Sequence, residues 1–276
     1  VYPRLQGAPE VLVSADGRRL VFTSGPTSTR IRVFELDRSP DPSDNREAVF
    51  SQGTSEWMSP SFLPDGRIAV ASLVPDGYDI LALSRTGAAP QLLAQRRGEG
   101  VPYSPTMNPS PDGRTLAVVE QDRQKGMPSA VTLLDIQTGR VRSVPLPERP
   151  SGVAWSNDGK HLGAMTALSP NRVLSVDMET GTARSVQLDC GNRCEFAWET
   201  IAIGPEWPLA AVSSQNDIWI ANLETGALRI LAADGWNAVV WLGEWVYFTR
   251  RVGQTDQRRT TLFRIRSSGG REDRLL

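Results

Sequence analysis

Histidine is almost missing from this 276-residue chain, which has one, and cysteine and lysine each occur twice. A Ser-His-Asp or Cys-His nucleophile system needs a histidine as its base, so His161 is the sole candidate, and no G-x-S-x-G elbow accompanies it. One His and two Cys cannot by themselves fill a standard zinc site, and haem and redox-cluster motifs are missing too. No stretch approaches the roughly 20 apolar residues of a membrane-spanning helix, and Val1-Tyr2-Pro3-Arg4 has no basic segment leading into an apolar one, so no direct membrane insertion is expected. Nor does either charge dominate: 30 basic residues face 31 acidic ones, which leaves no global field to gather nucleic acid. Starting on Val rather than Met suggests a processed protein or an excised domain.

What the chain does have is a repeat. The segments VLVSADGRRLVF (11–22), PSFLPDGRIAVA (60–71), NPSPDGRTLAVV (108–119) and VAWSNDGKHLGA (153–164) each set Asp-Gly before an alternating apolar run. Their aspartates, Asp16, Asp65, Asp112 and Asp158, are separated by 49, 47 and 46 residues. Asp-Gly suits a tight hairpin because Gly tolerates positive φ and Asp bonds to nearby backbone, and the alternation beyond it is that of a strand. A second turn follows each hairpin at Thr86-Gly87, Thr138-Gly139, Thr180-Gly181, Thr225-Gly226 and Ser268-Gly269-Gly270.

Two hairpins per unit give four strands, A to D, as a propeller blade requires. Two further units are degenerate: 196–226 replaces Asp-Gly with Glu206-Trp207, and 238–251 shortens the turn to Gly243-Glu244. The expectation is an all-β, six-bladed β-propeller of four-stranded antiparallel blades forming one domain over 1–276, with blades at 8–52, 57–96, 103–146, 150–189, 195–233 and 236–276. The ring closes either with 274–276 finishing blade six or with Tyr2 to Gln6 supplying its outer strand.

These repeats resemble those of TolB-type propellers, most closely over 59–87 and 110–139, and the same repeat occurs in the propellers of prolyl-oligopeptidase-like peptidases. The resemblance implies a non-catalytic, scaffolding propeller that binds a protein or peptide, in the periplasm or elsewhere in the bacterial cell envelope. It departs in the first blade, where 37–47 replaces the compact Thr-Gly turn. Two alternatives stay open: a propeller from a larger peptidase or membrane-anchored sensor, and a propeller lyase or glycosidase with a central-channel site.

Alternation along the strands puts Asp-Gly and Thr-Gly turns on one face of the disc and the irregular B-to-C loops and crossovers between blades on the other. Function concentrates on such irregular loops, so the partner site is expected there. Counting back five positions from Phe62, Ile203 and Trp241 reaches Trp57, Trp198 and Trp236, which with Tyr103 form a candidate aromatic anchor at the funnel mouth. The alternative for these tryptophans is packing between blades. Arg123, Lys125, Arg250, Arg251, Arg258 and Arg259 lie on loops of the same face and can receive acidic groups of a partner.

His161 follows a structural turn, and the corresponding positions carry Arg19 and Thr115, so it reads as an outward-facing or edge side chain. No cofactor is expected. Calcium stays open because it takes oxygen ligands, although the Asp-Gly turns account for their aspartates without metal. Glu56, Asp76, Glu199 and Asp217 keep a carboxylate site in view. Cys190 and Cys194 enclose a short polar loop suited to a disulfide, which an exported protein would form.

Overall fold

Hydrogen bonds inside each predicted turn show how the repeat becomes a blade. In the computed structural model Asp112 accepts from the Arg114 N–H at 3.0 Å and from the Ser110 hydroxyl at 2.6 Å. Asp158 repeats this with Lys160 N–H and Ser156, and Gly113 and Gly159 both sit at φ +70°, which their lack of Cβ permits. The C-to-D turns use the same device: Asp135, Asp177 and Asn222 each accept two backbone N–H groups from the residues two and three positions on.

The structure describes residues 11–14, 18–24, 30–35, 47–50, 57–84, 88–97, 105–120, 129–166, 171–190, 200–213, 217–235, 237–252 and 259–275. Within them, 24 strands form six antiparallel four-stranded sheets, each in simple chain order. Blade one holds β1 to β4 (Val11–Val13, Arg19–Ser24, Arg30–Glu35, Glu47–Phe50) and blade two β5 to β8 (Trp57–Phe62, Ile68–Val74, Gly77–Leu83, Gln91–Arg97). Blade three holds β9 to β12 (Pro105–Pro109, Thr115–Glu120, Ala130–Asp135, Val141–Pro145) and blade four β13 to β16 (Pro150–Trp155, His161–Thr166, Arg172–Asp177, Ala183–Gln187). Blade five holds β17 to β20 (Ile201–Ile203, Leu209–Ser213, Asp217–Asn222, Leu228–Ala233) and blade six β21 to β24 (Asn237–Leu242, Trp245–Val252, Arg259–Arg266, Asp273–Arg274).

The innermost strands touch in the order β1, β5, β9, β13, β17, β21, and β21 returns to β1, so the six sheets close into a ring. That is a six-bladed β-propeller. Blade six takes its outer strand from the chain's far end, where Asp273–Arg274 pairs with Phe263 and Arg264 and the Leu275 N–H reaches the Leu262 carbonyl. Tyr2 to Gln6 lie outside the described residues.

The core is divided among the gaps between blades. Ala69, Ala71 and Tyr78 of blade two meet Leu116, Val118 and Leu134 of blade three; Ala117 and Leu133 of blade three meet Leu162 and Leu174 of blade four. Both faces of a blade are therefore apolar, which is why these strands alternate less cleanly than those of a sheet with one wet face. Trp155 spans such a gap, its Nε1–H donating to the Asn108 carbonyl at 3.1 Å while its backbone N–H donates to the Asn108 Oδ1 at 3.2 Å.

Candidate functional site

Trp57 does not stand at the mouth of the funnel as an exposed anchor. It is 3 % exposed and packs with Val21, Ile31 and Val33 of blade one and Ile68, Val70 and Leu83 of blade two. Its position at the start of β5 is as expected, but its indole turns sideways into the gap between two sheets, where burying a large aromatic face is most favourable. Trp198, Trp236, Tyr103, Arg123 and Arg258 lie outside the described residues, as does the side chain of Arg251.

Arg250 is committed within the chain. Its guanidinium grips Glu272 with two hydrogen bonds at 2.7 and 2.9 Å, donates to the Ala233 and Asp234 carbonyls, and lies over the rings of Phe248 and Phe263. With its donors satisfied internally, it ties blade six to the end of blade five and is not an open anion receptor. Cys190 is disulfide-bonded, and the other cysteine of the chain, Cys194, lies outside the described residues.

A charged cluster closes the gap between blades two and three. Tyr78, fully buried at the start of β7, donates its hydroxyl proton to Glu120 Oε1 at 2.7 Å, and Arg96 holds both Glu120 oxygens at 2.7 and 3.0 Å. Burial, reinforced by the neighbouring Glu120 charge, pushes the Tyr78 hydroxyl far above the usual phenol range. The hydrogen bond to Glu120 outweighs burial and keeps Arg96 more firmly protonated than usual. Each carboxylate oxygen is engaged, so this cluster is structural in kind.

A polar cleft lies on the turn face, between blades four and five. Its volume is about 360 Å3, and it is lined by His161, Ser175, Asp177, Thr180, Thr182 and Arg184 of blade four and by Trp207 and Glu224 of blade five. His161 opens β14, Ser175 and Asp177 belong to β15, and Arg184 lies directly across from Ser175 on β16. Blade five contributes where it departs from the repeat: Trp207 occupies the turn position held by glycine elsewhere, preceding a cis peptide to Pro208.

The Trp207 ring stacks on His161 with centroids 4.4 Å apart and planes 11° from parallel. Its Nε1–H donates to Glu224 Oε1 at 3.3 Å, and Arg184 approaches the same oxygen at 3.7 Å, longer than a hydrogen bond. The Thr180 N–H first, with help from its hydroxyl and the Glu179 N–H, holds the Asp177 carboxyl below its ordinary range. His161 thus faces the next blade rather than outward. The available signal was the broken Asp-Gly turn at 206–207, which marks where blade five differs.

Among the described residues, no group of three or more His, Cys, Asp or Glu side chains is placed to hold a metal ion, and no helix is long and apolar enough to cross a membrane. Asp65, Asp112 and Asp158 are each engaged by their own turns, and Asp76 and Asp79 pair with Arg97. Asp16, Glu56 and Glu199 lie outside the described residues.

No protein-family profile and no curated protein sequence matches the chain. Solved structures do match in fold. TolB from Acinetobacter baumannii superimposes with a TM-score of 0.64 at 15 % identity over 95 % of this chain and 61 % of its own. A puromycin hydrolase gives 0.63 at 20 % identity over all of this chain and 45 % of its own. An oligogalacturonate lyase in complex with manganese gives 0.54 at 14 % identity over 91 % and 87 %. Such low identities establish the propeller fold and nothing finer. The chain spans about three fifths of that TolB and under half of the hydrolase.

Proposed function

Starting from a six-bladed β-propeller with the fold of TolB, we propose that this domain is a non-catalytic scaffold that binds a protein or peptide partner on its loop face, outside the cytoplasm in the bacterial cell envelope. One observation carries the reading: the two faces are built differently. On the turn face the repeated acidic and amide side chains serve the turns themselves, as Asp112, Asp135, Asp158, Asp177 and Asn222 each satisfy the backbone of their own turn. The segments 98–104, 121–128, 191–199 and 253–258, which join strand ends at the opposite face, are longer and carry Tyr103, Arg123, Trp198 and Arg258. A rigid ring presenting long, aromatic and arginine-bearing segments suits partner recognition.

The lone histidine supports a non-catalytic role, since His161 is stacked flat on Trp207 and no Ser or Cys side chain hydrogen-bonds to its ring among the described residues. A disulfide at Cys190 suits an oxidising compartment. A second reading, a propeller that belongs to a larger peptidase, is favoured by the hydrolase comparison, in which this whole chain matches less than half of the other.

The test is selection of displayed peptides on the immobilised domain, followed by calorimetric titration and recovery of the bound peptide. The scaffold reading expects a saturable peptide recovered intact. Cleavage of the peptide by the isolated domain contradicts it, as does failure to enrich any saturable binder.

A further inference from the structure

We propose that the cleft between blades four and five binds a small ligand bearing one carboxylate together with its own hydroxyl or ammonium donors, at a site separate from the loop face. The inference starts from the internal repeat. The residue that faces the next blade from the middle of strand C is fixed by its register partner on strand B. In blade six it is Arg264 opposite Tyr247; in blades one, two, three and five it is Val33 opposite Val21, Ala82 opposite Ala69, Leu133 opposite Ala117 and Ile220 opposite Ala211. The last four are buried apolar side chains. In blade four the same position is Ser175, opposite Gly163.

Replacing an aliphatic side chain by serine opposite a glycine leaves room in the gap. Part of that room is filled from blade five, since a Cβ on Gly163 would meet Ile203, Leu223 and Ile201. The remainder is the cleft. Ser175 is 6 % exposed, lines it, and its hydroxyl has no hydrogen-bond partner among the described residues. Its oxygen opens onto the cleft, so the hydroxyl is available to a ligand there.

Two further groups converge there with capacity to spare. Arg184 sits directly across from Ser175 and makes no hydrogen bond among the described residues, its nearest acidic atom being Glu224 at 3.7 Å. The ring nitrogens of His161 have no partner there either, although the ring is fixed by its stack on Trp207. Guanidinium, imidazole and serine hydroxyl together make a donor set for a carboxylate, with the guanidinium able to grip both oxygens.

The rim sets the rest of the ligand's chemistry. Asp177 and Glu224 bring two negative charges against one guanidinium, which opposes a multiply charged phosphate or sulfate more strongly than a single carboxylate. The same two carboxylates accept hydrogen bonds, so a hydroxyl or ammonium next to the ligand's carboxylate is held rather than repelled. About 360 Å3 suits a molecule of hydroxy-acid or amino-acid size.

Because His161 is the only histidine, isotope labelling of histidine gives a single imidazole as reporter inside the cleft. The probes are lactate and glycine, which carry a carboxylate and a donor, with acetate and inorganic phosphate as controls. The expected result is a saturable shift of the His161 signals with lactate or glycine. Acetate should bind at least about tenfold more weakly and phosphate should produce no saturable shift. Arg184→Ala, at an exposed side chain without hydrogen bonds, should weaken binding at least about tenfold in a folded protein. Ser175→Leu, which installs the blade-three residue, should abolish it. No saturable shift with either probe overturns the proposal. So does equal binding by Arg184→Ala, or phosphate binding as tightly as lactate.

Discussion

His161 of blade four and Trp207 of blade five lie face to face, 4.4 Å between ring centroids, joining two blades at the point where the repeat's Asp-Gly turn is lost. A stacked aromatic pair contributes about 0.5–1.5 kcal/mol beyond the area it buries. A double-mutant cycle with His161→Ala and Trp207→Ala should therefore give a coupling near ~1 kcal/mol in urea denaturation. Strictly additive losses would mean that the two rings only happen to be adjacent.

Trp57→Ala should destabilise the fold by ~3–5 kcal/mol, because it empties the apolar gap between blades one and two. Its denaturation midpoint should fall far more than that of a loop-face substitution. A loss below about 1 kcal/mol would return Trp57 to the surface.

The Tyr78–Glu120 contact sets an alkaline limit. The folded state keeps the Tyr78 proton where an unfolded tyrosine releases it at about pH 10. The unfolded chain then binds fewer protons than the folded one. Stability from this group is full below that pH and declines as pH rises above it. Tyr78→Phe should lower stability at pH 8 and make the decline between about pH 9.5 and 11 shallower. An unchanged slope in the variant would assign the decline to other groups.

Gly226 and Gly181 separate backbone strain from collision. Both have positive φ, +78° and +71°, but a Cβ on Gly226 would lie 1.9 Å from the Gln187 carbonyl oxygen of the neighbouring blade, whereas Gly181 has open space. Gly181→Ala should cost ~1–2 kcal/mol for the conformation alone, and Gly226→Ala clearly more. Equal losses would show that the neighbouring blade yields freely.

The blades were readable because each Asp-Gly and Thr-Gly turn is a local device, completed by hydrogen bonds within a few residues, as at Asp112 and Asp135. Side-chain direction was not. Counting from Phe62 puts Trp57 on the correct strand end, yet blades two to five are each packed against a neighbour on both faces, so alternation does not separate a residue that faces solvent from one that faces a neighbour. Tyr78 and Glu120 are 42 positions apart and His161 and Trp207 lie in different blades, so neither pair has a spacing to detect. Ser175 was detectable in principle, as a polar residue where Leu133 stands one repeat earlier.

The most direct measurement of where the partner binds is titration of one selected peptide against three proteins: wild type, a loop-face variant combining Trp198→Ala, Trp236→Ala and Arg258→Ala, and the turn-face variant Arg184→Ala. Binding through the loop face predicts that the first variant, still folded by circular dichroism, loses at least about tenfold in affinity while Arg184→Ala matches wild type. Undiminished binding by the loop-face variant would contradict the account.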